Sequence, residues 1–219
     1  MKILFCSDPF DKHKVDESYL NEYKHAEEQG HEIGLLHIEE LIQHENAEAA
    51  IKSVGHAAEK ATAIYRGWML KPVQYEKLYF TLQKKNIELI NSPVQYVHCH
   101  HLPEAYSIMK DHTPLSVWLD KSELELDDSF DKVHAALKIF GQAPIIVKDF
   151  VKSRKHEWLE ACYIPDASDQ GRVVQVIKRF LELQGDELNE GLVFREFVQL
   201  DFFLVAAASS GFSGQTWRG

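Results

Sequence analysis

The residues best suited to chemistry stand in one stretch, Pro144-Ile145-Ile146-Val147-Lys148-Asp149-Phe150-Val151-Lys152-Ser153-Arg154-Lys155-His156-Glu157-Trp158. A β-branched apolar run that a strand can bury on both faces ends in Lys148, and a loop crowded with Lys152, Arg154, Lys155 and His156 follows at once. Such a cationic mouth can hold a polyanion, the ammonium acting as a point charge on phosphate oxygens and the guanidinium as a forked donor beside it. The same pattern also fits a strand-end lysine that snorkels into solvent ahead of a solvated charge run. A second stretch, Gly191-Leu192-Val193-Phe194-Arg195-Glu196-Phe197-Val198, weighs toward the anion site, because it is another short strand with charge at its end.

The surroundings of that mouth are acidic. A formal net charge of -10 over 219 residues repels a nucleic-acid backbone or an anionic membrane, so any phosphate site must be a local basic pocket. Hydrophobic content of 45% with 26% charged residues is that of a globular chain. Cys6, Cys99 and Cys162 are odd in number, far apart and without CxxC spacing, which points to a reducing compartment. The N-terminus reaches Asp8 and Pro9 too soon for a signal peptide, and the apolar run Phe202 to Ala208 is too short to span a bilayer. The sequence therefore reads as cytoplasmic, with no nucleic-acid or membrane partner.

The elements that must position the basic stretch follow an α/β rhythm. Lys2 to Cys6 is a short strand, a helix runs from about Asp16 to Gln29 and stops at Gly30, and Glu32 to His37 is a second strand. This β-loop-α-β order starts a parallel sheet with crossover helices. Gln43 to Lys60 is polar and alanine-rich, which predicts surface helix or loop. The strand Ala61 to Tyr65 delivers Arg66 to its carboxyl end, where ligands of open α/β sheets sit; an anion or a neighbouring carboxylate would satisfy it equally. Pro72 opens a helix to about Lys85, Ile87 to Ile90 is a strand, and Asn91-Ser92-Pro93 caps the helix after it. A first domain, 1–95, is expected to end there, followed by a second, 96–200, and an atypical tail, 201–219. Val97-His98-Cys99-His100-His101 does not read as a zinc site, since contiguous ligands diverge on a helix and no second pair stands at zinc spacing. In the second domain Leu115 to Leu119 and Ala161 to Ile164 are expected strands. Helices are expected over Asp128 to Phe140 and Ser168 to Gln184, the latter with a core stripe Val173, Val174, Ile177, Phe180 and Leu181.

Three segments in this order, Ala63-Ile64-Tyr65-Arg66-Gly67-Trp68-Met69, Ile145 to Trp158, and Phe194-Arg195-Glu196-Phe197-Val198, resemble the ATP-grasp ligases, and more narrowly the ATP-grasp clade named for two arginines and a lysine. The resemblance implies an α/β protein, a pre-ATP-grasp parallel-sheet domain followed by a partial α+β ATP-grasp domain. It implies that Lys148 contacts the α- and β-phosphates of ATP and that Lys152 to His156 lies over the phosphate tail. On the same likeness Arg195, Glu196, Phe197 and Val198 meet the adenine edge, with Glu196 in the hinge, while Arg66 and Arg154 stand at the chemistry. Implied too are magnesium as a cofactor, carboxylate and amine substrates that are small molecules or peptides, and an acyl-phosphate intermediate. Where the family carries acidic and amide magnesium ligands this chain runs from Leu200 to Gly219 with one carboxylate, Asp201, and no pair for two ions, so the chain is expected to be incomplete. The alternative is a non-catalytic module that binds a nucleotide or a partner through the same basic cleft.

Overall fold

A computed structural model describes residues 1–125 and 129–199. The expected tail and its Asp201 lie outside the described residues.

The first half is built on β1 (Lys2–Cys6), α1 (Leu20–Glu28), β2 (Glu32–Leu36), α2 (Ile38–His44), α3 (Ala47–Ala50), β3 (Ala61–Arg66), α4 (Pro72–Gln83), β4 (Ile87–Leu89) and α5 (Pro93–His100). All four strands are parallel, in the order β2-β1-β3-β4. Leu4, Cys6, Leu36 and Ala63 on the strands meet Ile38, Leu41, Ile51, Leu78 and Leu82 in one core. Local chemistry agrees with that packing. Gly30 takes φ +70° after α1, and Ser92 and Gln95 form a capping box ahead of Pro93 at the start of α5. The segment Gln43 to Lys60 corrects its surface reading: Ala47, Ala50, Ile51 and Val54 are buried in this core. Alanines supply little hydropathy, so only tertiary packing reveals that face.

The second half adds α6 (Leu102–Met109), β5 (Ser116–Asp120), α7 (Lys121–Glu125), α8 (Asp131–Leu137), β6 (Ile145–Asp149), β7 (Tyr163–Ile164), α9 (Gln170–Gln184) and β8 (Gly191–Glu196). Its sheet is antiparallel, in the order β5-β8-β6-β7. Ile145, Val147, Leu192 and Phe194 form the face buried against Val173, Val176, Ile177 and Phe180 of α9. Half of the expected strand Ala161 to Ile164 is instead the end of a π-helical turn, Trp158–Cys162, and Tyr163 and Ile164 pair in the sheet as expected. Such turns are rare and recur at functional sites.

Core membership passes from the first sheet to the second between Tyr96 and Leu102. The halves touch where Lys71 Nζ reaches the Glu187 carboxylate at 3.5 Å and the Asp186 carbonyl at 3.4 Å; the linking residues pack on Phe150, whose carbonyl accepts the Leu102 amide at 3.0 Å and whose ring edge meets His101 at 6.0 Å between centroids.

Gly191 starts β8 because nothing larger fits. A Cβ there would overlap the Leu119 carbonyl oxygen and lie 2.8 Å from the Phe150 ring. Gly191→Ala is expected to destabilise the protein by about 3 kcal/mol, since backbone of β5 must move to make room. Thermal unfolding checks it; an unchanged midpoint would contradict the close approach.

Candidate functional site

The basic stretch and the second charged strand lie side by side. In the β6–β8 ladder Ile146 faces Arg195, Lys148 faces Val193, and Asp149 faces Leu192. Directly opposed residues share a face, so Lys148, Val193 and Arg195 point to the side away from the α9 core. Lys148 and Arg195 are diagonal neighbours there, both half-buried. Burial pushes the Lys148 ammonium below its ordinary pKa, and the Arg195 guanidinium adds to that. Arg195 is likewise lowered by burial. Among the described residues neither has a carboxylate ion-pair partner. Lys148 Nζ donates to the Val151 carbonyl at 3.0 Å, and Arg195 donates to Thr113 Oγ1 at 2.7 Å. Two desolvated cations held next to each other by neutral oxygens make a site poised for an anion.

The loop after Lys148 is organised by a residue the sequence reading gave no role. Asp149 is fully buried, and its carboxylate accepts from the amides of Val151 (2.7 Å) and Lys152 and from Gln184 Nε2 (3.0 Å) and Asn189 Nδ2 (2.8 Å). An aspartate at the end of a strand, bonding amides two and three residues on, is an Asx-type turn. That local signal was available in Asp149-Phe150-Val151-Lys152. Its two amide side-chain partners come from α9 and from the turn before β8. The chain then folds back so that Ser153 bridges Lys148. Arg154, 29% exposed at its side chain, lies 3.5 Å from the Glu157 carboxylate, and its Nε is enclosed without a hydrogen bond.

At the hinge after β8 the Glu196 amide donates to the Leu115 carbonyl and the Phe197 amide to the Pro144 carbonyl, both at 2.8 Å. Phe197 closes an aromatic cluster in which Trp158 and Tyr163 stack at 5.3 Å and 11°. Tyr163 pairs with Ile146, so this cluster lies on the Lys148 face, beside exposed Val198.

Between the halves runs a cleft of about 350 Å³. Lys71, Tyr96, His100 and His101 line one wall, and Val151, Lys152, Glu187 and Asn189 the other. Lys152 of the basic loop and Lys71 of the first half line the same space, with Lys71 Nζ 3.5 Å from the Glu187 carboxylate. Arg66 is not among the lining residues: both prongs of its guanidinium grip the Glu22 carboxylate on α1, and it lies over the Tyr19 ring. Of the two partners the sequence allowed for Arg66, the carboxylate is the one seen.

His101 is 6% exposed, and burial holds its pKa below the ordinary 6.5, against the opposing pull of Glu190 and Glu104. The folded protein therefore binds fewer protons there than the unfolded chain below that pH. Its stability contribution is complete above about 6.5 and is lost as pH falls beneath it. The melting temperature is expected to drop between about pH 7.5 and about pH 5.5, and to drop less in His101→Gln. Equal slopes would remove His101 from the cause.

No three metal-ligating side chains converge among the described residues. No described helix is long and apolar enough to cross a membrane.

Residues 136–215 match a family model, the ATP-grasp domain, family 3 of the clade named for two arginines and a lysine. The match extends into 201–215, the start of the segment read as atypical. No curated protein matches the sequence. Among solved structures the chain is similar to a RimK-domain ATP-grasp protein from Sphaerobacter thermophilus, at 10% identity and TM-score 0.49, covering 92% of this chain and 66% of that one. It is also similar to the ATP-grasp ligase PsnB complexed with minimal precursor, at 13% identity and TM-score 0.41, covering 90% and 63%. The complex of PsnB with precursor peptide PsnA2 and AMPPNP is matched at 11% identity and TM-score 0.43, covering 90% and 65%. The chain spans just under two thirds of the length of these structures.

Proposed function

We propose, from the premise that residues 136–215 are an ATP-grasp domain, that the Lys148 face of the second sheet binds ATP and that the chain serves an ATP-dependent carboxylate–amine ligase. The carrying observation is the pair of half-buried cations, Lys148 and Arg195, side by side without a carboxylate partner among the described residues. A bound triphosphate would offset the desolvation both suffer. Lys148 then meets the phosphates by releasing the Val151 carbonyl, and Lys152 and Arg154 approach from the loop. The adenine edge meets the carbonyls of Glu196 and Phe197 and the backbone of Val198, because the amides of the first two are already engaged.

The acceptor carboxylate enters by the cleft between Lys71 and Lys152. In the ligase reaction a carboxylate oxygen bonds to the γ-phosphorus as the bond to the β–γ bridging oxygen breaks and ADP leaves. An amine nitrogen then bonds to the acyl carbon, phosphate departs with the C–O electron pair, and the amine loses its proton to solvent. Positioning and positive charge are what such a transfer asks of a protein. Arg66 could reach the acceptor only by exchanging Glu22 for it, and as an exposed pair that grip is worth about 1 kcal/mol or less.

Titration with ATP as its magnesium salt, read by tryptophan fluorescence, tests the first claim, since Trp158 and Trp118 lie on the face in question. Saturable quenching is expected; its absence at millimolar nucleotide overturns the reading. Release of ADP on adding carboxylates and amines separates a ligase from a module that only binds. Arg66→Ala should leave ATP affinity within about twofold and weaken the acceptor alone; unchanged affinity for both removes Arg66 from the site.

A further inference from the structure

Arg66 and Arg195 stand near the ends of strands in the two sheets and are held in opposite ways. Both prongs of Arg66 are taken by the Glu22 carboxylate. The half-buried Arg195 gives one N–H, from Nη2, to the neutral hydroxyl oxygen of Thr113 at 2.7 Å. Its Nε and Nη1 have no acceptor among the described residues, and neither is enclosed. A carboxylate uses up a guanidinium, whereas a hydroxyl fixes it and leaves its charge and most of its five N–H donors for another partner.

Thr113 is itself fixed by the chain on either side of it. Pro114 keeps the residue before it extended, and Thr113 takes φ -141° and ψ 149° directly after the 3-10 turn Lys110–His112 that follows α6. Two bonds then fasten this segment to β5. Ser116 Oγ donates to the Pro114 carbonyl at 3.0 Å, and the Ser116 amide donates to the Tyr106 hydroxyl oxygen on α6 at 3.1 Å. The Tyr106 ring meets Trp118 edge-on at 5.6 Å between centroids, which closes α6 onto the same strand. Ser116 is the residue opposite Arg195 in the β5–β8 ladder, so hydroxyl and guanidinium are both set by one strand register.

The neighbours of Arg195 on its sheet face offer it no other hold. Across β6 stands Ile146, and two residues back along β8 stands Val193, opposite Lys148. A long side chain between two apolar ones samples several rotamers, and ordering it when a ligand arrives costs affinity unless something has ordered it beforehand. The bond to Thr113 does so in the unliganded protein.

We propose that Thr113 is a positioning residue of the nucleotide site, its hydroxyl holding Arg195 so that the unused N–H groups of the guanidinium are ready beside Lys148 for a forked grip on phosphate oxygens. This inference rests on the ATP reading of that face.

The test titrates the full chain with ATP as its magnesium salt, read by calorimetry. Thr113→Val, nearly the same in shape, is expected to weaken binding about three- to tenfold, and Thr113→Ser, which keeps the hydroxyl, to stay within about twofold of wild type. Because Thr113 acts through Arg195, adding Thr113→Val to Arg195→Met should weaken binding by no more than about a further twofold, whereas a purely structural role would add its full loss. Wild-type protein that does not bind ATP overturns the ATP reading and this inference with it. Wild-type binding that Thr113→Val leaves unchanged, a Thr113→Ser as weak as Thr113→Val, or additive losses in the double variant overturn this inference alone. Should Thr113→Val not fold, Thr113→Ala takes its place in the same comparisons. Should Arg195→Met bind too weakly to titrate, the comparison of Thr113→Ser with Thr113→Val decides.

Discussion

Replacing Lys148 with methionine is expected to weaken ATP binding by roughly 10- to 100-fold while leaving the unliganded protein as stable as before, or more so. The two halves of that result have one cause. Methionine keeps the apolar stem that packs in the sheet and removes the ammonium, which burial and Arg195 already disfavour. What the free protein loses is one bond to the Val151 carbonyl, worth about 1 kcal/mol. What the complex loses is a charge-assisted contact to phosphate, worth about 1.5–3 kcal/mol. The pH dependence has a definite sign. Because the folded-state pKa lies below the ordinary 10.5, the cost of holding the cation is present at neutral pH and is relieved as pH rises toward 10.5. The wild type should therefore gain stability relative to the variant on alkalinisation. Calorimetric titration with ATP and thermal melts at about pH 7.5 and about pH 9.5 measure both; a variant that binds ATP as tightly as wild type would remove Lys148 from the phosphate site.

The parts of this arrangement that were legible in the sequence are those encoded locally. The strand ending in Lys148 with its basic loop, and the strand ending in Arg195 and Glu196, could each be read from local pattern, whereas their pairing, which makes Lys148 and Arg195 diagonal neighbours on one face, could not. The parallel first sheet could be read from its β-loop-α-β order, and the α9 stripe through Val173, Ile177 and Phe180 from helical spacing. What could not be read depends on partners far away in sequence. Glu22 takes Arg66 from 44 positions earlier, and Gln184 and Asn189 reach Asp149 from 35 and 40 positions later. The burial of Ala47 to Val54 is likewise a product of packing against the first sheet, because small side chains carry little periodic signal. The π-helical turn replaced half of an expected strand where Ala161 and Cys162, both apolar and both buried, satisfy either backbone.

Asp149→Ala is expected to lower stability by about 2–5 kcal/mol, a fall in melting temperature of roughly 5–15 °C, and to weaken ATP binding as a consequence. The carboxylate is the shared acceptor for donors from three places: the turn amides of Val151 and Lys152, the end of α9 through Gln184, and the approach to β8 through Asn189. Gln184 is itself buried, so without the carboxylate its amide keeps the full desolvation cost, about 1–3 kcal/mol. The turn amides lose the acceptor that holds Val151 under Lys148 and points Lys152 into the cleft. Asp149→Asn separates charge from shape, since one oxygen remains for the turn while the new amide N–H opposes the donors of Gln184 and Asn189. Asp149→Asn should therefore also be destabilised, by less than alanine, and should retain more of the ATP affinity. A melting temperature for Asp149→Ala within about 2 °C of wild type would mean that the turn, the end of α9 and the approach to β8 stand without their common acceptor. The loop geometry around Lys148 would then need another cause.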